Sequence, residues 1–317
     1  MSRALRLAFF GTPDIASPYL HALAHAGHDL RAVVTQPDRP AGRGQALRPS
    51  PVKTVAAWMG LPVLQPASCD DPAFQAALRD SGADLGVVVA YGNLLPWEVL
   101  TAPSLGCVNL HYSLLPALRG AAPVQHALLA GLTETGVTVQ WMSPELDAGD
   151  LIAAQAVAID PEDDCAALFA RLNDVGPGLL LEALGLIAEG RAPRVQQDPT
   201  GVTWAPELTG ADCRIDWTEP AERICNRVRA CSPRPGAYAL RGGRRVKVLK
   251  TVAVPATESG QGGQPGGVAE IGFLGYPVVY SGCGAVALVT VQPEGRQPMS
   301  GEAYARGARF RPSELLS

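Results

Sequence analysis

The sequence predicts an α/β protein: an N-terminal Rossmann-like, mostly parallel sheet with helices on both faces, then a small C-terminal β-barrel domain of OB-like type. Three observations predict it. Apolar strand-like runs alternate with helical spacing through the first 190 residues, the pattern of a parallel sheet with crossover helices. Leu85 to Ala90 is almost wholly apolar, as suits a strand covered on both faces. From Pro235 onward, short apolar runs are separated by glycines, as in small barrels.

Each element has a local reason. Leu5 to Phe10 is an apolar run closed by Gly11-Thr12-Pro13-Asp14, and helical spacing follows through Ile15, Tyr19, Leu20 and Leu23: strand, turn, helix. That N-terminal run leads straight into turn residues and lacks a small-residue cleavage site, so it reads as a first buried strand and not as a signal peptide. Leu30 to Thr35 is a second strand. Gln36 to Ser50 carries three prolines, two glycines and three arginines and is too polar and broken for a packed element; a loop of that length is usually functional or disordered. Val52 to Met59 reads as a helix, Val63-Leu64 as a short strand and Pro72 to Leu78 as a helix. Val108 to His111 and Val137 to Met142 supply two further strands around a helix near Val124 to Ala130. A helix from about Cys165 to Glu189 leads into a Pro- and Gln-containing connector, which places a domain over 1–190, a linker over 191–206 and a second domain over 207–317. In the second, Ala221 to Cys231 has helical spacing. Strands are expected at Ala237 to Leu240, Val246 to Val252, Gly267 to Ile271, Val278 to Tyr280 and Ala285 to Gln292, with a mobile Gly/Gln/Ser-rich stretch over Pro255 to Gly267.

Composition excludes some classes of function. No apolar run approaches the ~20 residues that span a bilayer. The seven cysteines are odd in number, scattered and without a C-x-x-C pair. They read as reduced, mostly buried thiols of a cytoplasmic protein with no metal site. The net charge of −4 hides an asymmetry: residues 1–203 hold 12 Lys/Arg and 20 Asp/Glu, a balance of −8, and residues 204–317 hold 14 and 10, a balance of +4. A basic C-terminal third suits an anionic partner or simply an unevenly charged surface. The single glycine of Gly11-Thr12-Pro13-Asp14 falls short of the G-x-G-x-x-G fingerprint, which disfavours a nicotinamide dinucleotide.

The stretch from Gly106 to Asp150 carries the chemistry. Asn109 and His111 lie two apart on a predicted strand, so they share a face about 6.6 Å apart along it. An amide and an imidazole so spaced can polarise a carbonyl oxygen, although a lone strand histidine can equally be structural. Cys107, four residues before His111, lies about 13 Å away along the strand, too far to form an activated thiolate pair. Asp147 sits in a Pro-Glu-Leu-Asp-Ala-Gly-Asp turn, where a carboxylate can accept a proton or serve only the turn.

On these residues the chain resembles the methionyl-tRNA formyltransferase family over essentially its whole length. The matching segments are FFGTPDIA (9–16), TQPDRPAGRG (35–44), SPVK (50–53), VVVAYGNLLP (87–96), GCVNLHYSLLP (106–116), RGAAPVQ (119–125), TGVTVQ (135–140), LDAGD (146–150), IDW (215–217), PGAY (235–238) and VQPEG (291–295). The resemblance implies formyl transfer from 10-formyltetrahydrofolate, a co-substrate, to the α-amine of initiator methionyl-tRNA, giving N-formylmethionyl-tRNA for translation initiation. It implies catalytic roles for Asn109, His111 and Asp147. It places Ser113, Leu114, Leu115 and Pro116 at the folate site and Arg39, Arg43 and Arg48 against tRNA. It implies no metal, no NAD, no membrane, and a monomer. The alternative within the same superfamily acts on a small amine such as a sugar-amine, which leaves a basic C-terminal barrel without a task. Three positions depart from the family pattern: Tyr112 stands where a small residue is common and could crowd the folate pocket, Gln45-Ala46 replace frequent lysines, and Arg234 replaces a common aromatic.

Overall fold

The structure is a computed structural model that describes residues 4–41, 45–254, 263–269, 273–308, 310–311 and 314–317. By contacts the chain divides into two units. The first comprises Met1–Pro123, Thr135–Ala158 and Phe169–Pro206, and the second Val124–Glu134, Ile159–Leu168 and Glu207–Ser317.

The first unit is built on a seven-stranded sheet. Its strands are β1 (Arg6–Phe10), β2 (Asp29–Val34), β5 (Val63–Leu64), β6 (Leu85–Val89), β7 (Cys107–His111), β8 (Glu134–Trp141) and β9 (Leu151–Ala158), in the order β5-β2-β1-β6-β7-β8-β9. The first five are parallel neighbours, and β8 runs antiparallel to β7. The mostly parallel sheet is therefore as predicted. Helices α1 (Ser17–His25), α2 (Pro51–Trp58), α3 (Pro72–Asp80) and the short α4 (Trp97–Leu100) belong to this unit, with most of α6 (Cys165–Ala188). The starts of α2 and α3 are written in the sequence. Ser50 and Asp71 accept from the backbone N–H groups of Lys53 and Ala73, and each is followed by a proline at the first helical position.

Every residue of β6 is buried, as its apolar run requires. Gly86 in that strand has a steric reason: a Cβ there would stand 2.3 Å from Cys107 Sγ. Cys107 is thus core, and burial pushes its thiol pKa up to about 12. Tyr112 follows β7 and is buried. Its ring meets Phe169 and Tyr19 edge-on at 5.4 and 6.4 Å, and its hydroxyl donates to Asn173 Oδ1 at 2.9 Å. It packs among helical residues.

The glycines of α6 divide by their surroundings. A Cβ on Gly176 would lie 2.1 Å from the Tyr19 hydroxyl, whereas one on Gly185 meets nothing within 4 Å. Gly185→Ala is expected to raise stability by about 0.5–1 kcal/mol through helix propensity. Gly176→Ala is expected to lower it by about 1–3 kcal/mol through overpacking. Urea titrations read both signs directly.

Two departures concern the first unit. The 36–50 stretch holds a small antiparallel hairpin, β3 (Arg39–Ala41) with β4 (Ala46–Arg48), in place of an unstructured loop. Strand β9 was not expected: LIAAQAVA is half exposed, Ala-rich and at the sheet edge, so pairing with β8 defines it more than patterning does.

The second unit contains α5 (Pro123–Leu129), α7 (Ala221–Cys231), β10 (Ala237–Arg241), β11 (Arg244–Val254), β12 (Val278–Tyr280), β13 (Ala285–Pro293), β14 (Met299–Ser300) and α8 (Gly301–Ala308). The strands form a curled antiparallel sheet in the order β10-β11-β13-β12, with β14 also on β13. Ile224, Val228 and Cys231 of α7 pack with Val246, Val248, Val286 and Leu288 in its core. The expected Gly267–Ile271 strand is reduced to isolated bridges at Gly267 and Val268, and residues 270–272 lie outside the described residues. So do residues 255–262, most of the Gly/Gln/Ser-rich stretch.

Candidate active site

Strand β7 lies between parallel β6 and antiparallel β8. Ligands of open α/β sheets bind beyond the carboxyl ends of parallel strands, which here means the end at His111. Cross-strand register sets one face of the site: Asn109 opposes Gln140, and His111 opposes Thr138. With a side-chain period of two, all four point to the same side. Thr138 then fixes the loop after β7. Its hydroxyl donates to Ser113 O at 2.7 Å and accepts from Leu115 N at 3.2 Å.

His111 is 6% exposed. Its Nε2 lies 2.9 Å from Leu118 O, an acceptor only, so this nitrogen carries a proton. Its Nδ1 faces Asp147 Oδ2 at 3.6 Å. Asp147 adopts φ +50°, the left-handed region that aspartate tolerates better than most residues. That backbone turns its carboxylate back over the strands. Gly120 N donates to Oδ2 at 2.9 Å and Gln140 Nε2 to Oδ1 at 3.2 Å. Asn109 is half-buried, and among the described residues its amide makes no hydrogen bond. The structure thus brings together the three residues picked from the sequence. It joins an available amide donor, a buried imidazole and a carboxylate, suited to stabilising an oxyanion while moving a proton.

Ser113 to Pro116, beyond Tyr112, are placed differently. Ser113 is fully buried and its hydroxyl donates to Ala117 O at 2.6 Å, bracing the turn. Leu115 is buried, while Leu114 and Pro116 are half-buried. In the hairpin, Arg39 and Arg48 are exposed register partners. Arg43 lies outside the described residues. No group of three or more His, Cys, Asp or Glu is placed to hold a metal ion among the described residues, and no described helix is long and apolar enough to cross a membrane.

Three site residues escaped the sequence reading. Gln140 was a polar residue inside an apolar strand, a weak signal. Arg119 opened a matched segment but was given no role, and Gln197 had no signal, because only the fold brings it, far along the chain in the connector, to the Asp147 turn.

A mixed α/β sheet with an amide and an imidazole near the end of β7 and a carboxylate in the turn after β8 suits a group-transfer enzyme for carbonyl carbon. Family models for formyl transferase match residues 5–184, and for its C-terminal domain residues 207–309. A methionyl-tRNA formyltransferase of Moorella thermoacetica is 47% identical over 98% of this chain and 99% of its own. One from Nocardioides is 45% identical over 96% of both. The chain belongs to the formyl transferase family, in its methionyl-tRNA formyltransferase branch. Solved structures share the fold at lower identity. HypX from Aquifex aeolicus in complex with tetrahydrofolic acid superposes with a TM-score of 0.66 at 18% identity, over 96% of this chain and 47% of that one, so the chain spans about half its length. An N-formyltransferase from Helicobacter canadensis, in complex with folinic acid and dTDP-3-aminofucose, gives 0.66 at 16%, over 90% and 99%.

Proposed function

We propose that this enzyme transfers the formyl group of 10-formyltetrahydrofolate to the α-amine of initiator methionyl-tRNA. The observation that carries the reading is the Asn109–His111–Asp147 cluster on a chain matched from end to end by methionyl-tRNA formyltransferases. The amine nitrogen attacks the formyl carbon, a C–N bond forms, and the carbonyl oxygen takes the negative charge. Asn109 donates its free amide N–H to that oxygen. In its protonated form His111 adds positive charge beside it. Direct donation from Nε2 requires the bond to Leu118 O to open. Asp147 accepts the proton the amine sheds; the oxyanion then re-forms the carbonyl as the bond to folate N10 breaks, and N10 takes that proton from Asp147 and leaves as tetrahydrofolate. An amine nucleophile needs no enzymic serine or cysteine, which agrees with Cys107 being core.

Leu114 and Pro116, on the loop braced by Ser113 and Leu115, line the folate side. The hairpin arginines face tRNA. Arg39 directly opposes Arg48, a like-charge pair that is unfavourable unless an anion lies between them. Arg43, between the two strands in sequence, joins them in this reading. In the second unit Arg244, Arg245 and Arg296, with Glu294 and Glu314, line a cleft of about 410 Å³ whose arginines outnumber its carboxylates, further positive charge for a polyanion. Seven free thiols fit a cytoplasmic location.

Turnover of 10-formyltetrahydrofolate is expected with methionyl-tRNA and not with uncharged tRNA; equal turnover with both contradicts the reading. Arg39→Ala/Arg48→Ala is expected to weaken tRNA binding and to flatten the slope of log affinity against log salt by about 1.5, roughly 0.7–0.9 per phosphate lost. An unchanged slope removes the hairpin from the tRNA interface.

A further inference from the structure

Asp147 is held by side chains that the reaction does not use. Gln197 Nε2 lies 2.8 Å from Asp147 O, 2.8 Å from Gly149 O and 3.2 Å from Gln140 Oε1. Gln140 Nε2 in turn donates to Asp147 Oδ1. At the far end, Arg119 Nε and Nη2 donate to Gln197 Oε1 at 3.1 and 2.7 Å.

The chemistry of the two ends fixes the direction of this chain. A guanidinium only donates, so the atom of Gln197 facing Arg119 is its oxygen, and its NH₂ faces the turn. A carboxylate only accepts, so the atom of Gln140 facing Asp147 is its nitrogen. Both amides are thereby oriented without choice, Arg119 to Gln197 to Gln140 to Asp147. Gln140 is 2% exposed and could be held there only with its polar atoms satisfied. The connector delivers Gln197 by pairing along β9 and β8: Leu151 N donates to Val195 O, and Trp141 Nε1 to Pro193 O.

We propose that Gln197 and Gln140 are positioning residues for the formyl-transfer step, with Arg119 orienting Gln197. Gln197 sets the backbone of the left-handed Asp147 turn and Gln140 sets the carboxylate. The proposal rests on the reading of Asp147 as the proton acceptor. Outer-sphere hydrogen bonds of this kind keep a reacting group within the fraction of an ångström that fast transfer needs.

The test is steady-state and single-turnover formylation of methionyl-tRNA by Gln197→Glu. That variant keeps the length of the side chain and its acceptor for Arg119 but loses both N–H groups. It is expected to lower kcat about 10–100-fold, with KM for both substrates within about threefold; the melting temperature is expected to fall by a few degrees, because an oxygen then faces the three acceptors of the turn. On an Asp147→Ala background the same change is expected to cost no more than about twofold, because the group it positions is gone. If Gln197→Glu does not fold, Gln140→Met, which removes the donor to Oδ1, carries the same expectations. Slow turnover by Asp147→Ala with normal kcat in the glutamine variant overturns the proposal alone. So does an equal further loss on the Asp147→Ala background. Normal turnover by Asp147→Ala removes the site reading and the proposal with it.

Discussion

Asp147→Ala is expected to lower the formylation rate constant about 10³-fold at saturating substrates, within the range for a lost acid–base group. The change removes the acceptor for the amine proton and the partner of His111 Nδ1. It also leaves Gly120 N and Gln140 Nε2 donating to nothing. Asp147→Asn is no gentler. Both carboxylate oxygens accept hydrogen bonds, and an amide replaces one of them with a donor, so one of those N–H groups meets another N–H. Rapid-quench measurement of N-formylmethionyl-tRNA checks the loss, and a KM within a few-fold of wild type assigns it to chemistry and not to binding.

The second large effect comes from a residue with no side chain. Gly149 lies two residues past Asp147, and a Cβ there would stand 1.7 Å from Trp141 O, a backbone atom of β8 that cannot rotate away. Gly149→Ala must therefore push the turn off the sheet. A displacement of about 1 Å at Asp147 is expected to cost roughly 10²-fold in rate, and the overpacking about 1–3 kcal/mol in stability. Gly210→Ala is the control, since a Cβ there meets nothing within 4 Å. Its activity is expected to match wild type, measured with Gly149→Ala in the same formylation assay and urea titration.

The sequence was most legible where a pattern is local. The all-apolar β6 run, the Ser50 and Asp71 caps and the helical spacing of Ala221 to Cys231 each determine their element within a few residues. Asn109 and His111 were also legible, because alternation along one strand places both on one face. The hairpin at Arg39–Arg48 was not, because three-residue strands broken by proline carry no period to read. Strand β9 was hidden because its alanines and glutamine leave no alternating face. Gln197 was hidden for a different reason: its partners are Gln140, Asp147 and Gly149, about fifty residues earlier, and only the folded connector brings them within 3.2 Å.

The central claim is that this site formylates an amine presented by tRNA. A competition at equal concentration between methionyl-tRNA and methionine methyl ester, with 10-formyltetrahydrofolate limiting, tests it most directly, since the two share one nucleophile. The account predicts that formyl groups appear on the tRNA-borne amine with at least about 100-fold preference, the ~2.7 kcal/mol that a few phosphate contacts supply. Equal formylation of the two amines would contradict it.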